Sequence, residues 1–173
     1  MREVHFGIIG CGLMGREFAS ATARWLHLLD MRVRPRIVAI CDTFASYDDD
    51  RVRWFKALHP EISQVTPDYR ELLDNKNVDA VYVAVPHYLH REIYCATIAS
   101  GKHLMGEKPF GIDLAANQAI LATLDAHAEV FARCSSEMSG PSSVPGSSPL
   151  PIFSVAARSA RSATKRSWSG RAT

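Results

Sequence analysis

Three glycines spaced as Gly10-x-Gly12-x-x-Gly15 follow the apolar run Phe6 to Ile9, and a helical pattern begins directly after them. A buried strand, a glycine turn and a helix in that order can hold phosphate groups. Gly10 allows a tight turn, Gly12 lets the backbone approach a pyrophosphate with no Cβ in the way, and Gly15 lets the helix pack close to the strand. The free N–H groups of the helix's first turn then face the phosphates, aided by the positive end of the helix dipole. Asp42 is the second position with chemistry. It ends the apolar run Ile37 to Cys41, and an acid after the second strand of such a fold can accept both hydroxyls of an adenosine ribose. His87 and His90 stand three apart, a spacing that suits two metal ligands, but no third ligand accompanies them and no metal is expected. Cys11, Cys41, Cys95 and Cys134 lie far apart without a C-x-x-C pair, so they read as small buried thiols rather than a disulfide framework or zinc site.

A chain of 173 residues with 47% hydrophobic content has room for one ordinary domain and a core to stabilise it. No run approaches the ~20 apolar residues of a membrane span, and no basic segment followed by an apolar stretch and a cleavage site opens the chain. The default compartment is the cytoplasm. The net charge of +2 hides a split. Five positive charges, Arg158, Arg161, Lys165, Arg166 and Arg171, fall in a tail with no acid, while the 15 basic and 18 acidic residues before it leave a body of charge −3.

The elements that would position these residues alternate along the chain. Met14, Phe18, Ala21, Trp25 and Leu28 recur at helical spacing, and Pro35 marks the end region of that first helix. The interval from Gly12 to Asp42 exceeds the usual one of about twenty residues; a long helix and a loop over residues 31–36 account for the excess. Acids at Asp48 to Asp50 begin a helix carrying Val52, Phe55 and Leu58. Gln64 to Thr66 reads as a short third strand, and Thr66-Pro67 opens a helix through Leu73 with Thr as N-cap. Asp79 to Val85 suits a strand buried on both faces in the centre of a sheet. Pro86 ends it, and a helix with Leu89, Ile93 and Ala96 on one face runs to Gly101. His103 to Met105, a helix capped by Asp113 with Ala116, Ile120, Leu124 and His127 on one face, and Val130 to Cys134 complete the pattern. Six strands separated by helices predict an α/β fold, a doubly wound parallel sheet with right-handed crossovers.

Gly10-Cys11-Gly12-Leu13-Met14-Gly15, the strand ending at Asp42, Asp68-Tyr69-Arg70-Glu71-Leu72-Leu73, Val78-Asp79-Ala80-Val81, Pro86 with His90, and Glu107-Lys108-Pro109 occur in that order. Together they resemble the N-terminal Rossmann domain of the glucose-fructose oxidoreductase and inositol dehydrogenase family, Gfo/Idh/MocA, over roughly residues 4 to 137. The resemblance implies an NAD(P)-dependent oxidoreductase acting by hydride transfer on a sugar, polyol or related CH–OH substrate. It implies that Gly10, Gly12, Leu13, Met14 and Gly15 hold the pyrophosphate and Asp42 the ribose. Pro86, His87 and His90 then pass close to the nicotinamide half, although the family often has Asn where His87 stands. Glu107 and Lys108 reach the nicotinamide ribose and the substrate, with Lys108 the catalytic residue. A lysine at the carboxyl edge of a parallel sheet can orient a substrate hydroxyl and stabilise developing alkoxide charge. NAD is expected over NADP, because a carboxylate at Asp42 repels a 2′-phosphate and no Arg directly follows it.

The NAD(P)-binding Rossmann domain is expected over residues 1–138. From Ser139 the chain is rich in Ser, Pro, Ala and Arg without helical or strand period, so residues 139–173 read as a low-complexity basic tail, disordered or the product of a shifted reading frame. The family's second domain, with its acid-base Asp and His, is expected to be absent: no Asp follows Asp125 and no His follows His127. The chain alone should then be inactive, with exposed apolar area prone to self-association. Two alternatives stand beside this reading. One is a non-catalytic dinucleotide-binding module acting by protein association. The other is a nucleic-acid arm in the basic tail, which has only Phe153 and Trp168 as aromatics and no nucleic-acid fold signature.

Overall fold

Neighbouring rather than alternating apolar residues suit strands to burial on both faces, and the chain uses them that way. A computed structural model describes residues 1–25, 33–43 and 49–134. Met1–Met138 forms one compact unit, and the second, Ser139–Thr173, lies outside the described residues, as does the expectation of disorder made for it. The elements run β1 (Arg2–Ile9), α1 (Leu13–Ala23), β2 (Val33–Cys41), α2 (Asp50–Leu58), β3 (Gln64–Thr66), α3 (Tyr69–Asp74), β4 (Ala80–Val83), α4 (His90–Ala99), β5 (His103–Gly106), α5 (Leu114–Ala126) and β6 (Ala132–Cys134). All pairings are parallel and the strand order is β3-β2-β1-β4-β5-β6. This is the doubly wound Rossmann order, whose direction reverses between β1 and β4.

Successive strand residues point to opposite faces and so feed two cores. Ile8, Ile40 and Tyr82 pack with Ala19 of α1 and Val52 and Phe55 of α2. Their neighbours Ile9, Ala39, Val81 and Val83 pack with Leu72 of α3, Ile93, Tyr94 and Ile98 of α4, and Ile120 of α5. All four residues of β4 are buried, as a central strand requires. Phe18 closes α1 onto the sheet by stacking on Tyr82, ring centroids 4.1 Å apart, and meeting Phe6 edge-on at 5.4 Å.

Local chemistry sets the element ends. Asp49 caps α2 by accepting the Arg51 N–H, and Asp113 caps α5 by accepting the Ala116 N–H at 2.7 Å, each contributing about 1 kcal/mol. Gly101, with φ +76°, ends α4 in the left-handed region, its N–H donating to the Ile98 carbonyl.

Three expectations shift. The buried stripe of α1 is Gly15, Ala19 and Thr22, with Met14 and Ala21 exposed; spacings of three and four fit two stripes one residue apart, and contact with the sheet selects the smaller residues. Trp25 is half-buried, and Leu28 lies outside the described residues. Pro35 sits inside β2 rather than after a helix. It pairs with Val4 of β1, and β3 reaches only Ala39–Cys41, so on its other side no described strand needs the missing N–H. The cap of α3 is Asp68, which accepts the Arg70 N–H at 2.9 Å, while Thr66 closes β3 and donates to Glu71.

At the amino edge of the sheet, Lys102 is buried and donates to the carbonyls of Asn75 and Val78, both at 2.8 Å. This joins the turn before β5 to the turn before β4, far from the carboxyl edge where ligands bind in such folds. Lys102→Met removes a donor from both carbonyls, leaving that of Asn75 only the Val78 N–H, and should lower stability by roughly 2 kcal/mol in a urea titration, with dinucleotide affinity unchanged.

Candidate functional site

The glycine turn is shaped by what surrounds it. Gly10 has φ +100°, and a Cβ there would lie 2.2 Å from the Ala84 carbonyl oxygen, so the turn crosses the end of β4 only because the side chain is absent. Gly15 is buried, and a Cβ on it would lie 2.1 Å from the Gly10 carbonyl oxygen. Gly12 differs: nothing lies within 4 Å of where its Cβ would stand. It is the N-cap of α1 and has no side-chain cap, which leaves the first-turn N–H groups without intrahelical partners. A bare backbone at a helix start, open on the side a Cβ would fill, fits a pyrophosphate.

Asp42 is tied to this turn. Its Oδ2 accepts the Cys11 N–H at 2.8 Å, and the Gly10 N–H donates to the Cys41 carbonyl at 2.8 Å. The end of β2 is thereby locked to the end of β1. The Cys11 and Cys41 thiols are both pushed up to about 12, first by burial and then by the Asp42 charge, and stay protonated. Arg51 is the first cation to follow Asp42 in the sequence, and its guanidinium is held by Asp49 at 3.0 and 3.1 Å.

A cavity of about 440 Å³ brings Gly10, Gly12, Asp42 and Pro86 together. Its other walls include Pro67, Tyr69, Tyr88, Leu89, Glu92 and Ile93, which the sequence reading did not single out for the site. It sits where the strand order reverses, between the carboxyl ends of β1, β2 and β4, the place expected for a dinucleotide. Leu13 and Met14 are exposed at the start of α1, beside the wall rather than in it.

The segment after β5 is fixed on both sides of one exposed residue. The Glu107 N–H donates to the Val83 carbonyl at 3.1 Å, its carboxylate accepts the Tyr82 hydroxyl at 2.5 Å, and its carbonyl accepts the Tyr94 hydroxyl at 2.7 Å. Burial, reinforced for Tyr82 by the Glu107 carboxylate, raises both phenols, which keeps them as donors. The Pro109 carbonyl lies 2.7 Å from His90 Nδ1, and His90 Nε2 lies 3.1 Å from the Val85 carbonyl. Lys108, between these anchors, is exposed, and the peptide to Pro109 is cis.

Two expected ligand contacts therefore stand behind the surface. His90 is completely buried, stacked on Tyr94 at 4.7 Å with both ring nitrogens on carbonyls, so it braces the segments carrying Pro86 and Lys108 and is not placed to share a metal with the exposed His87. Glu107 is 8% exposed and turned to Tyr82. The polar groups that place Lys108, Tyr82 and Tyr94, are spaced as core residues, so periodicity hid their second task.

Comparison with known proteins places the chain among oxidoreductases of one family. A model of the Gfo/Idh/MocA oxidoreductase family, NAD-binding Rossmann fold, matches residues 4–133. An uncharacterized oxidoreductase of Bacillus subtilis, YrbE, is 29% identical over 73% of this chain and 33% of its own length. A trans-1,2-dihydrobenzene-1,2-diol dehydrogenase of Sus scrofa is 30% identical over 65% of this chain and 30% of its own. A solved NAD binding oxidoreductase from Klebsiella pneumoniae superposes with a TM-score of 0.64 at 28% identity, over 78% of this chain and 34% of that one. The chain thus spans about a third of the length of the relatives it matches.

The two glycines facing opposite ways separate packing from binding. Gly12→Ala should stay within about 1 kcal/mol of the parent, since its Cβ meets no protein atom, yet weaken dinucleotide binding. Gly15→Ala should cost more, roughly 2 kcal/mol or above, because a carbonyl blocks the new Cβ. Paired thermal melts and cofactor titrations compare the two.

Proposed function

The chain belongs to the Gfo/Idh/MocA oxidoreductase family through its NAD-binding Rossmann fold, and from that premise we propose that it is the cofactor-binding part of an enzyme moving a hydride between NAD and a CH–OH carbon of a sugar, polyol or related substrate. The observation that carries the proposal is the common cavity of Gly10, Gly12, Asp42 and Pro86, with Lys108 exposed on the braced segment after the neighbouring strand. The diol dehydrogenase among the relatives supports the substrate class. The names of the relatives, oxidoreductases and a dehydrogenase, do not favour a non-catalytic module.

Bound NAD supplies the hydride chemistry. The chain's own groups bind and orient. Backbone N–H groups at Leu13, Met14 and Gly15 take the pyrophosphate, aided by the helix dipole. The Asp42 carboxylate, already oriented by the Cys11 N–H, accepts ribose hydroxyls. Pro86 and exposed His87 flank the nicotinamide half. The Lys108 ammonium orients a substrate hydroxyl and stabilises the negative charge that grows on its oxygen, a role for a fixed, preorganised donor. The reading includes a cytoplasmic setting and self-association, the latter through Leu13, Tyr88, Ile112 and Leu114, each 60% exposed or more, in the helix starts and connections that follow the strands.

NAD should bind about tenfold or more tighter than NADP, since Asp42 opposes a 2′-phosphate and Arg51 is bonded to Asp49. Asp42→Ala should weaken NAD by roughly tenfold, the worth of one charge-assisted hydrogen bond, and narrow the gap. Lys108→Ala should leave NAD affinity within about twofold, because the lysine acts on substrate. Calorimetric titration of the 173-residue chain tests all three, and tighter binding of NADP by the parent would sink the assignment.

A further inference from the structure

The far end of the cavity has its own polar group. Beyond Asp42 the walls are Pro67 and Tyr69 on one side and Leu89, Glu92 and Ile93 on the other. Tyr69 opens α3 and Glu92 lies in the first turn of α4, so the two helices meet here as jaws at the carboxyl edge of the sheet. The Tyr69 hydroxyl donates to Glu92 Oε1 at 2.6 Å, and Arg70 Nη2 reaches the same oxygen at 3.2 Å, its guanidinium lying 4.5 Å from the centre of the Tyr69 ring. Both contacts converge on Oε1. The hydroxyl proton is spent on the carboxylate and the guanidinium is shared between Glu92 and Asp68, so what the Tyr69–Glu92 pair has left to offer a ligand is acceptor: the second carboxylate oxygen and the lone pairs of the Tyr69 oxygen. Burial and the bond to Glu92 push the Tyr69 phenol up to about 12, so it remains a donor to Glu92.

The chain's own layout sets what arrives there. With the pyrophosphate on the Gly10–Gly12 turn and the ribose on Asp42, the base is the part of the ligand left to enter the space walled by Pro67, Tyr69 and Leu89. Apolar walls take the ring faces, and an acceptor-only group at the end takes an edge that carries hydrogen. Adenine offers a 6-amino group, a donor. Hypoxanthine carries a 6-oxo acceptor at that position and its edge hydrogen on N1 instead, so a carboxylate placed for the 6-amino group would be set against an oxygen.

Resting on the proposed NAD site, we infer that Glu92, oriented by Tyr69 and Arg70, reads the 6-amino edge of the base, so that the cavity selects adenine over 6-oxopurine dinucleotides. Glu92 is thus a specificity-determining residue. The pairing with Arg70 also limits the repulsion that a second carboxylate, after Asp42, would exert on the pyrophosphate.

Titration of the full chain with NAD and with nicotinamide hypoxanthine dinucleotide tests this. The parent should bind the hypoxanthine analogue about tenfold more weakly. In Glu92→Gln the amide can present N–H to a 6-oxo group, and the gap should shrink to twofold or less or invert. Tyr69→Phe, which frees the carboxylate to turn, should narrow it partially, by about threefold. Equal affinities in the parent would overturn the inference while leaving the NAD site intact, and so would a tenfold gap that persists in Glu92→Gln. Failure of either dinucleotide to bind the parent would remove the NAD site and this inference together. If Glu92→Gln does not fold, judged by circular dichroism, the parent ratio and Tyr69→Phe decide.

Discussion

A backbone carbonyl, that of Ala84, lies 2.2 Å from where a side chain on Gly10 would begin. That contact is the constraint from which the rest of the site follows. It brings the turn after β1 against the end of β4, at the point where the strand order reverses, and so places the start of α1 over the cavity. The same turn then fastens β2, because the Cys11 and Gly10 N–H groups donate to Asp42 and Cys41. Three strand ends are held in one place by a backbone approach that leaves no room for a side chain on Gly10, one backbone hydrogen bond and the Asp42 carboxylate.

The segment after β5 is fixed differently. Around Glu107, Lys108 and Pro109 the fixing groups are side chains from within the sheet and α4: Tyr82, His90 and Tyr94. Each is buried among apolar neighbours, where an unpaired hydroxyl or imidazole would be costly. Each finds its partner in the segment that displays Lys108 or the one leading to Pro86. The need to satisfy polar atoms in the core and the need to hold an exposed lysine still are met by the same bonds. Preorganisation here is a by-product of burial.

The sheet was legible in the sequence because buried strands announce themselves. Asp79 to Val85 and Phe6 to Ile9 are short apolar runs bounded by turn residues, and the glycine spacing said which turn faces a ligand. What local pattern could not supply was orientation. The α1 stripe was misplaced by one residue, since Phe18 and Ala19 both fit a 3.6-residue repeat and only contact with Tyr82 and the sheet decides between them. Pro35 argued against a strand until the shortness of β3 left its missing donor harmless. His90 carried a functional look in the sequence and proved a buried brace. Tyr69 and Glu92 had no look at all, because they stand 23 positions apart and meet only when α3 and α4 pack side by side.

The thiol of Cys11 sits in the middle of the glycine turn, 2% exposed and raised to about 12. Nucleophilic sulfur chemistry requires thiolate and access, and this position has little of either. Alkylating reagents, peroxide and mixed-disulfide formation should therefore pass over the glycine turn.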